Sequence, residues 1–207
     1  MSQATKLDLR REFKALYGSP AGRPVLVDVP ELSFLLVDGE GDPNVSQDYR
    51  DAVQALFAVS YAVKFAVKQA PGGVDYRVMP LEGLWWVDDM STFTVDDKAG
   101  WKWTALIAQP DLVTGELVRQ AVATAATRRP LPAAGRIRLE RFCEGRAAQV
   151  LHLGPFSAEG PTIARLHGFI AEQGFGRRGK HHEIYLTDPS RTAPERLKTV
   201  IRQPVAG

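Results

Sequence analysis

The segment Lys180-His181-His182-Glu183-Ile184-Tyr185-Leu186-Thr187-Asp188-Pro189 places acid, base and phenol side chains at alternate positions. β-Branched and aromatic residues alternate with polar ones and stop at an Asp-Pro turn signal, the pattern of a strand. Period-two alternation puts His181, Glu183 and Tyr185 on one face and His182, Ile184 and Leu186 on the other. The second face is mostly apolar and suits a core. The first carries a carboxylate in mid-strand, where burying charge is costly unless something offsets it. Such a face is either the solvated side of an antiparallel sheet or the floor of a pocket that binds a polar or cationic ligand or moves protons.

Glu183 is the principal catalytic candidate. Desolvation resists its ionisation unless a cation or hydrogen bond favours the charge, and a carboxylate so tuned can attract cations or act as a general acid or base. Tyr185 is the second, its hydroxyl suited to polarising a ligand carbonyl and its ring to forming a wall. His181 stands beside Lys180 at the strand start, a position open to exposure. His182 points to the opposite face, so the two histidines cannot chelate one ion. Neither joins the catalytic set, and no other residues give a metal-ligand spacing.

Aromatic residues form the other constellation: Trp85, Trp86, Trp101 and Trp103. Aligning Leu84-Trp85-Trp86-Val87-Asp88 with Ile184-Tyr185-Leu186-Thr187-Asp188 matches Trp85 to Tyr185 and Gly83 to Glu183. In that register Trp85 faces a groove and Gly83 leaves space opposite the carboxylate. A one-residue slip puts Trp86 there instead, and both remain open. Trp101 and Trp103 share a face of the next strand. Aromatic walls suit flat polycyclic ligands and cations. Glu82 is either a second carboxylate or a strand-edge charge, and Tyr61, within a long helix, is core, rim or ligand contact.

The elements that must position these residues repeat one plan. A strand over 32–37 runs through Asp38-Gly39-Glu40-Gly41-Asp42-Pro43 into a helix capped by Ser46. Tyr49, Val53, Leu56, Ser60, Val63 and Val67 stripe that helix, flanked by Phe57 and Phe65, until Pro71-Gly72-Gly73 ends it. Strands over 76–86 and 101–108 follow, joined by a turn at Asp96-Asp97-Lys98-Ala99-Gly100. In the second half a strand over 148–153 leads to a helix with Ser157 as N-cap and Gly174 as C-cap candidate. Strands over 181–187 and 197–203 come next. A further strand over 137–143 pairs with 148–153 through a Glu144-Gly145-Arg146 turn, and a helix over 114–127 bridges the halves. Each half is β-α-β-β, an α+β plan, and two such units can put their open sheet faces together around a ligand groove with helices outside. One domain over 1–207 is expected, with module one at about 23–110, a linking helix at about 111–132 and module two at about 135–207.

Of 207 residues, 44% are hydrophobic and 24% charged, and Cys143 is the only cysteine, which excludes an intrachain disulfide. The net charge of +2 divides unevenly: residues 1–100 hold 10 basic and 15 acidic side chains, the remainder 16 and 9. The basic clusters lack interleaved aromatics and any helix-turn-helix pattern, so nucleic acid is not expected as a partner. No run is long enough to span a membrane, and the charged N-terminus lacks a signal peptide's apolar core, so a cytoplasmic location is expected. Asp38-Gly39-Glu40-Gly41-Asp42 is too acidic for a phosphate loop. No Ser-His-Asp order with a nucleophile elbow is present. An enzyme built from these residues works without a cofactor.

Together with Thr192-Ala193-Pro194-Glu195-Arg196-Leu197-Lys198-Thr199-Val200-Ile201-Arg202-Gln203-Pro204-Val205, the opening segment resembles the C-terminal signature of the GyrI-like small-molecule-binding family. Pro80-Leu81-Glu82-Gly83-Leu84-Trp85-Trp86, preceded by the helix Val59-Ser60-Tyr61-Ala62-Val63-Lys64-Phe65, resembles a second family segment. The likeness runs from about residue 23 to residue 205. It implies two β-α-β-β modules about a pseudo-twofold axis, a buried functional glutamate at Glu183, and a glutamate kept at Glu82. Stand-alone members include hydrolases of cyclopropane-bearing cytotoxic natural products; fused members include effector domains of multidrug regulators. The resemblance thus implies a monomer or homodimer that opens the cyclopropane of electrophilic, DNA-alkylating aromatic compounds by adding water, a detoxification. The alternative is a protein that binds or sequesters aromatic or cationic drugs without turnover.

Overall fold

The computed structural model describes residues 5–94 and 98–207. Asp96 and Asp97 of the expected 96–100 turn lie outside them. In chain order the elements are β1 (Thr5–Leu7), α1 (Leu9–Glu12), α2 (Lys14–Tyr17), β2 (Val25–Glu40), α3 (Gln47–Gln69), β3 (Val74–Tyr76), β4 (Leu81–Trp86), β5 (Lys102–Gln109), α4 (Gly115–Arg128), β6 (Arg138–Leu153), α5 (Gly160–Glu172), β7 (Gly176–Arg177), β8 (His181–Tyr185) and β9 (Lys198–Ala206). The β-α-β-β plan appears twice, as β2-α3-β4-β5 and β6-α5-β8-β9. Within each unit the first strand pairs with the third and the third with the second: β2-β5-β4 and β6-β9-β8. The two antiparallel sheets join at both edges, β2 to β6 and β4 to β8, and close into a barrel.

Local chemistry accounts for the element ends. Ser46 caps α3, its Oγ accepting from the Tyr49 N–H at 3.2 Å. Pro71, two residues past the end of α3, cannot continue a helix. Thr114 caps α4 by accepting from the Leu117 N–H. Three expectations need correction. The strand expected over 76–86 is split into β3 and β4, because Pro80 has no N–H to give a ladder. The turn expected at Glu144-Gly145-Arg146 does not reverse the chain: β6 runs through it, with Gly145 at φ +70°. Both flanks bond to the same partner instead, Phe142 against Leu32 and Ala147 against Val27, so β2 holds β6 extended. Ser157 is not the cap of α5. It lies in a one-turn 3₁₀ helix, Phe156–Ala158, and Glu159 occupies the cap position without a side-chain cap bond.

The helices cover one side of each sheet. α3 buries Ala52, Ala55, Leu56, Val59, Val63 and Val67, and α5 lays Leu166 and Ile170 on Ala148, Val150 and Ile201. On the strand face opposite Glu183, the α2 segment packs instead: Tyr17 donates to Glu82, and the Ala15 and Leu16 carbonyls accept from Gln149 and Arg202. No helix among the described residues is long and apolar enough to cross a membrane.

Candidate functional site

Where β4 meets β8, Gly83 stands directly opposite Glu183 and Trp85 opposite His181. Directly paired residues share a sheet face, so register settles the tryptophan question: Trp85 lies on the Glu183 face. A side chain at position 83 would collide with it, since a Cβ there would lie 2.7 Å from the Trp85 indole. Glycine therefore lets the ring lie flat along the strand beside the carboxylate. Above this seam opens a cleft of about 980 Å³, walled by Tyr49, Phe57 and Tyr61 from α3, by Trp85, Trp101 and Tyr185, and by Phe156 and Glu159 from the turn before α5. Trp85 packs 5.3 Å from Trp101 and 5.6 Å from Tyr49, and Phe156 meets Tyr185 edge-on at 5.5 Å, centroid to centroid. The Trp85 indole N–H is buried and unpartnered.

Glu183 is 7% exposed at this floor. Its Oε1 accepts from His181 Nε2 at 3.2 Å and its Oε2 from the Tyr185 hydroxyl at 2.8 Å. Burial opposes its charge. His181, the Tyr185 hydroxyl and Lys98 outweigh burial and hold the carboxyl below its ordinary range. The Tyr49 phenol lines the same cleft beside them. Burial first, and the charge of Glu183 next, push both phenols upward, so both stay protonated. Glu159 lines the same cleft with Oε1 buried and unpartnered. Burial and the neighbouring Glu183 charge raise its pKa to about 9. The cleft therefore presents one ionised and one protonated carboxyl at neutral pH, the division of labour that general acid–base chemistry requires.

The other candidates are distributed differently. Trp101 and Tyr61 line the cleft, as does Lys98, whose ammonium sits 4.9 Å from the Trp101 ring centre. Trp103 does not reach it. Fully buried beneath Gly39, it supports Tyr49 edge-on at 5.1 Å. Trp86 lies off the cleft, covered by the Lys180 ammonium at 3.2 Å. Glu82 is on the opposite face, bonded to Tyr17 and His182. It belongs to a buried ionic cluster in which His182 contacts Glu82 and Glu144, and Arg202 contacts Glu144 and Gln149. His181, expected near the surface, is 1% exposed and touches Glu183. Sequence reasoning missed Glu159 altogether and treated Tyr49 as helix packing. Among the described residues no group of three or more His, Cys, Asp and Glu side chains could hold a metal ion.

A closed antiparallel sheet with an aromatic cleft over a buried glutamate defines a small-molecule-binding domain. Residues 23–206 match the GyrI-like small molecule binding domain, and the chain belongs to that family. It is similar to the crystal structure of an uncharacterized conserved protein from Listeria innocua, at 40% identity and TM-score 0.88 over 97% of this chain and 100% of that one. Two crystal structures described as hydrolases from Listeria innocua are also similar. One is 39% identical with TM-score 0.87 over 98% of this chain, the other 37% with TM-score 0.83 over 97%, and each is covered completely. No protein of curated function matches the chain.

Proposed function

We propose that this protein is a cofactor-independent hydrolase that adds water to an electrophilic aromatic compound, opening a cyclopropane ring conjugated to a dienone. The observation that carries this reading is the pair Glu183 and Glu159, two carboxyls lining one aromatic cleft, one held down in pKa against burial by His181 and Tyr185 and the other raised by burial and its neighbour's charge. Flat substrate rings stack against Trp85, Trp101 and Tyr49. Glu183 takes a proton from a water whose oxygen attacks the cyclopropane methylene. The carbon–carbon bond to the ring breaks, and its electron pair passes into the dienone to end on the former carbonyl oxygen. Glu159 gives that oxygen a proton, and exchange with solvent restores both carboxyls. Tyr185 and His181 hold Glu183 through its two oxygens; they are positioning residues, and the Tyr185 ring is a wall. Ring strain makes the substrate reactive already, so positioning of water and acid is the larger share of the task.

Support also comes from the two similar proteins described as hydrolases, which this chain matches over their whole lengths. The test is mass analysis of a spirocyclopropane-dienone compound incubated in large excess over protein. Conversion to the water adduct well beyond one equivalent is the expected result. Stoichiometric retention of unchanged compound would make the protein a binder or sequestering protein instead.

A further inference from the structure

The cleft has a second charged region that the proposed hydrolysis does not use. Arg10 and Arg77 line it, together with Tyr61 and Val78. A smaller depression shares Tyr61, Arg77 and Val78 with the cleft but none of Glu159, Glu183 or Tyr185. Arg77 therefore marks the end where the cleft runs out to the surface, where Tyr61 is 48% exposed. The fold delivers the two arginines together. β1 and β3 pair in parallel with Leu7 opposite Tyr76, so the segments carrying Arg10 and Arg77 leave the ladder side by side. Arg10 comes from the segment ahead of the family match, which begins at residue 23.

Nearby acids are already engaged. Asp8 accepts from the Arg10 and Arg11 backbone N–H groups, Asp75 pairs with Lys64 and Lys68, and Asp188 accepts from Ser190. Among the described residues, neither Arg10 nor Arg77 has a carboxylate within ion-pair distance of its guanidinium. A guanidinium is always charged and presents a planar fork that matches an oxyanion. We infer that this end of the cleft holds an oxyanion substituent of the ligand, a carboxylate, sulfate or phosphate group, bound by Arg10 and Arg77. The preferred ligand is then an elongated aromatic acid, rings toward Trp85 and anion toward α1. This rests on the reading of the cleft as the substrate site.

Pyrenebutyrate and pyrenebutanol, matched in ring and chain, test it through quenching of tryptophan fluorescence. The acid should bind about tenfold more tightly than the alcohol, and added salt should shrink the ratio. In the Arg10→Gln/Arg77→Gln double variant the ratio should fall to about twofold or less with the alcohol's affinity unchanged. Equal affinities in the native protein, failure of both probes to bind, or a ratio that survives the double variant would overturn the inference. So would a ratio abolished by Lys98→Gln alone, which would put the anion at the other end. The affinity ratio is independent of turnover. Loss of the hydrolase reading would leave this ratio intact, and loss of the ratio would leave turnover intact.

Discussion

At the scale of single residues, Glu183 shows what alternation in a strand can reveal. A carboxylate flanked at two-residue spacing by imidazole and phenol marks the strand as a candidate site, and the structure joins all three by hydrogen bonds. Glu159 is not legible in this way. It follows a non-repeating Pro-Phe-Ser-Ala turn, and only tertiary packing brings it toward Glu183. Its raised pKa makes a distinct prediction. If the proposed reaction holds, activity should be level through neutral pH and fall as pH rises through about 9, where Glu159 would lose the proton assigned to it. Glu159→Gln should lower turnover by about 10²–10⁴-fold and remove that alkaline limb; a limb unchanged in the variant would assign the acid to another group. The tryptophans separate by location. Trp85→Ala should weaken aromatic ligands by about 1–3 kcal/mol, read by titration. Trp103→Ala should instead lower stability by about 3–5 kcal/mol, read by denaturant melts, because its indole fills the space over Gly39 behind the cleft.

Elements were legible where their own sequence closes them, as Ser46 and Pro71 close α3. They were not where the partner decides. Glu144-Gly145-Arg146 has turn chemistry, yet β2 bonds to both flanks and keeps β6 straight. Glu82 likewise reads as a stray charge, because the groups that bond it lie in α2 and β8. That ionic cluster ties five elements together and sets a pH dependence. Burial opposes the charge of His182, but Glu144 and Glu82 outweigh it and raise its pKa from 6.5 to about 9. Its contribution to stability is present below 6.5 and is lost as pH rises through 9. Burial also opposes the charge of Glu144, but His182 and Arg202 lower its pKa from 4.5 to about 2, so its contribution is lost as pH falls through 2. Glu159, raised from 4.5 to about 9, adds a decline of the alkaline sign. The His182 share is therefore read in the Glu159→Gln background: the urea midpoint should still fall between pH 6.5 and 9, and a level midpoint would contradict the role given to His182. Gly83→Ala tests the β4–β8 seam. Its Cβ would meet the Trp85 ring at 2.7 Å, costing about 1–3 kcal/mol of stability and weakening aromatic ligands by displacing the ring, both measurable on one sample.

Over the whole molecule, the duplicated plan was visible in element order, whereas closure was not. Two edge-to-edge joints convert the sheets into one barrel, and one of those joints, β4 with β8, carries the cleft on its helix-bearing side. The duplication is uneven in chemistry: the first unit supplies Gly83 and the aromatic wall, the second supplies Glu183, Tyr185 and Glu159. The cleft thus draws on both units. In the proposed reaction Glu183 handles water and is not merely a charge that attracts ligands. Parallel assays of turnover and of ligand affinity on Glu183→Gln test it most directly, because glutamine keeps the shape and removes the proton-accepting charge. Turnover of the spirocyclopropane dienone should fall about 10²–10⁴-fold while a neutral aromatic ligand of similar shape binds as before. Full turnover in the variant, or a loss confined to the affinity of cationic ligands, would contradict it.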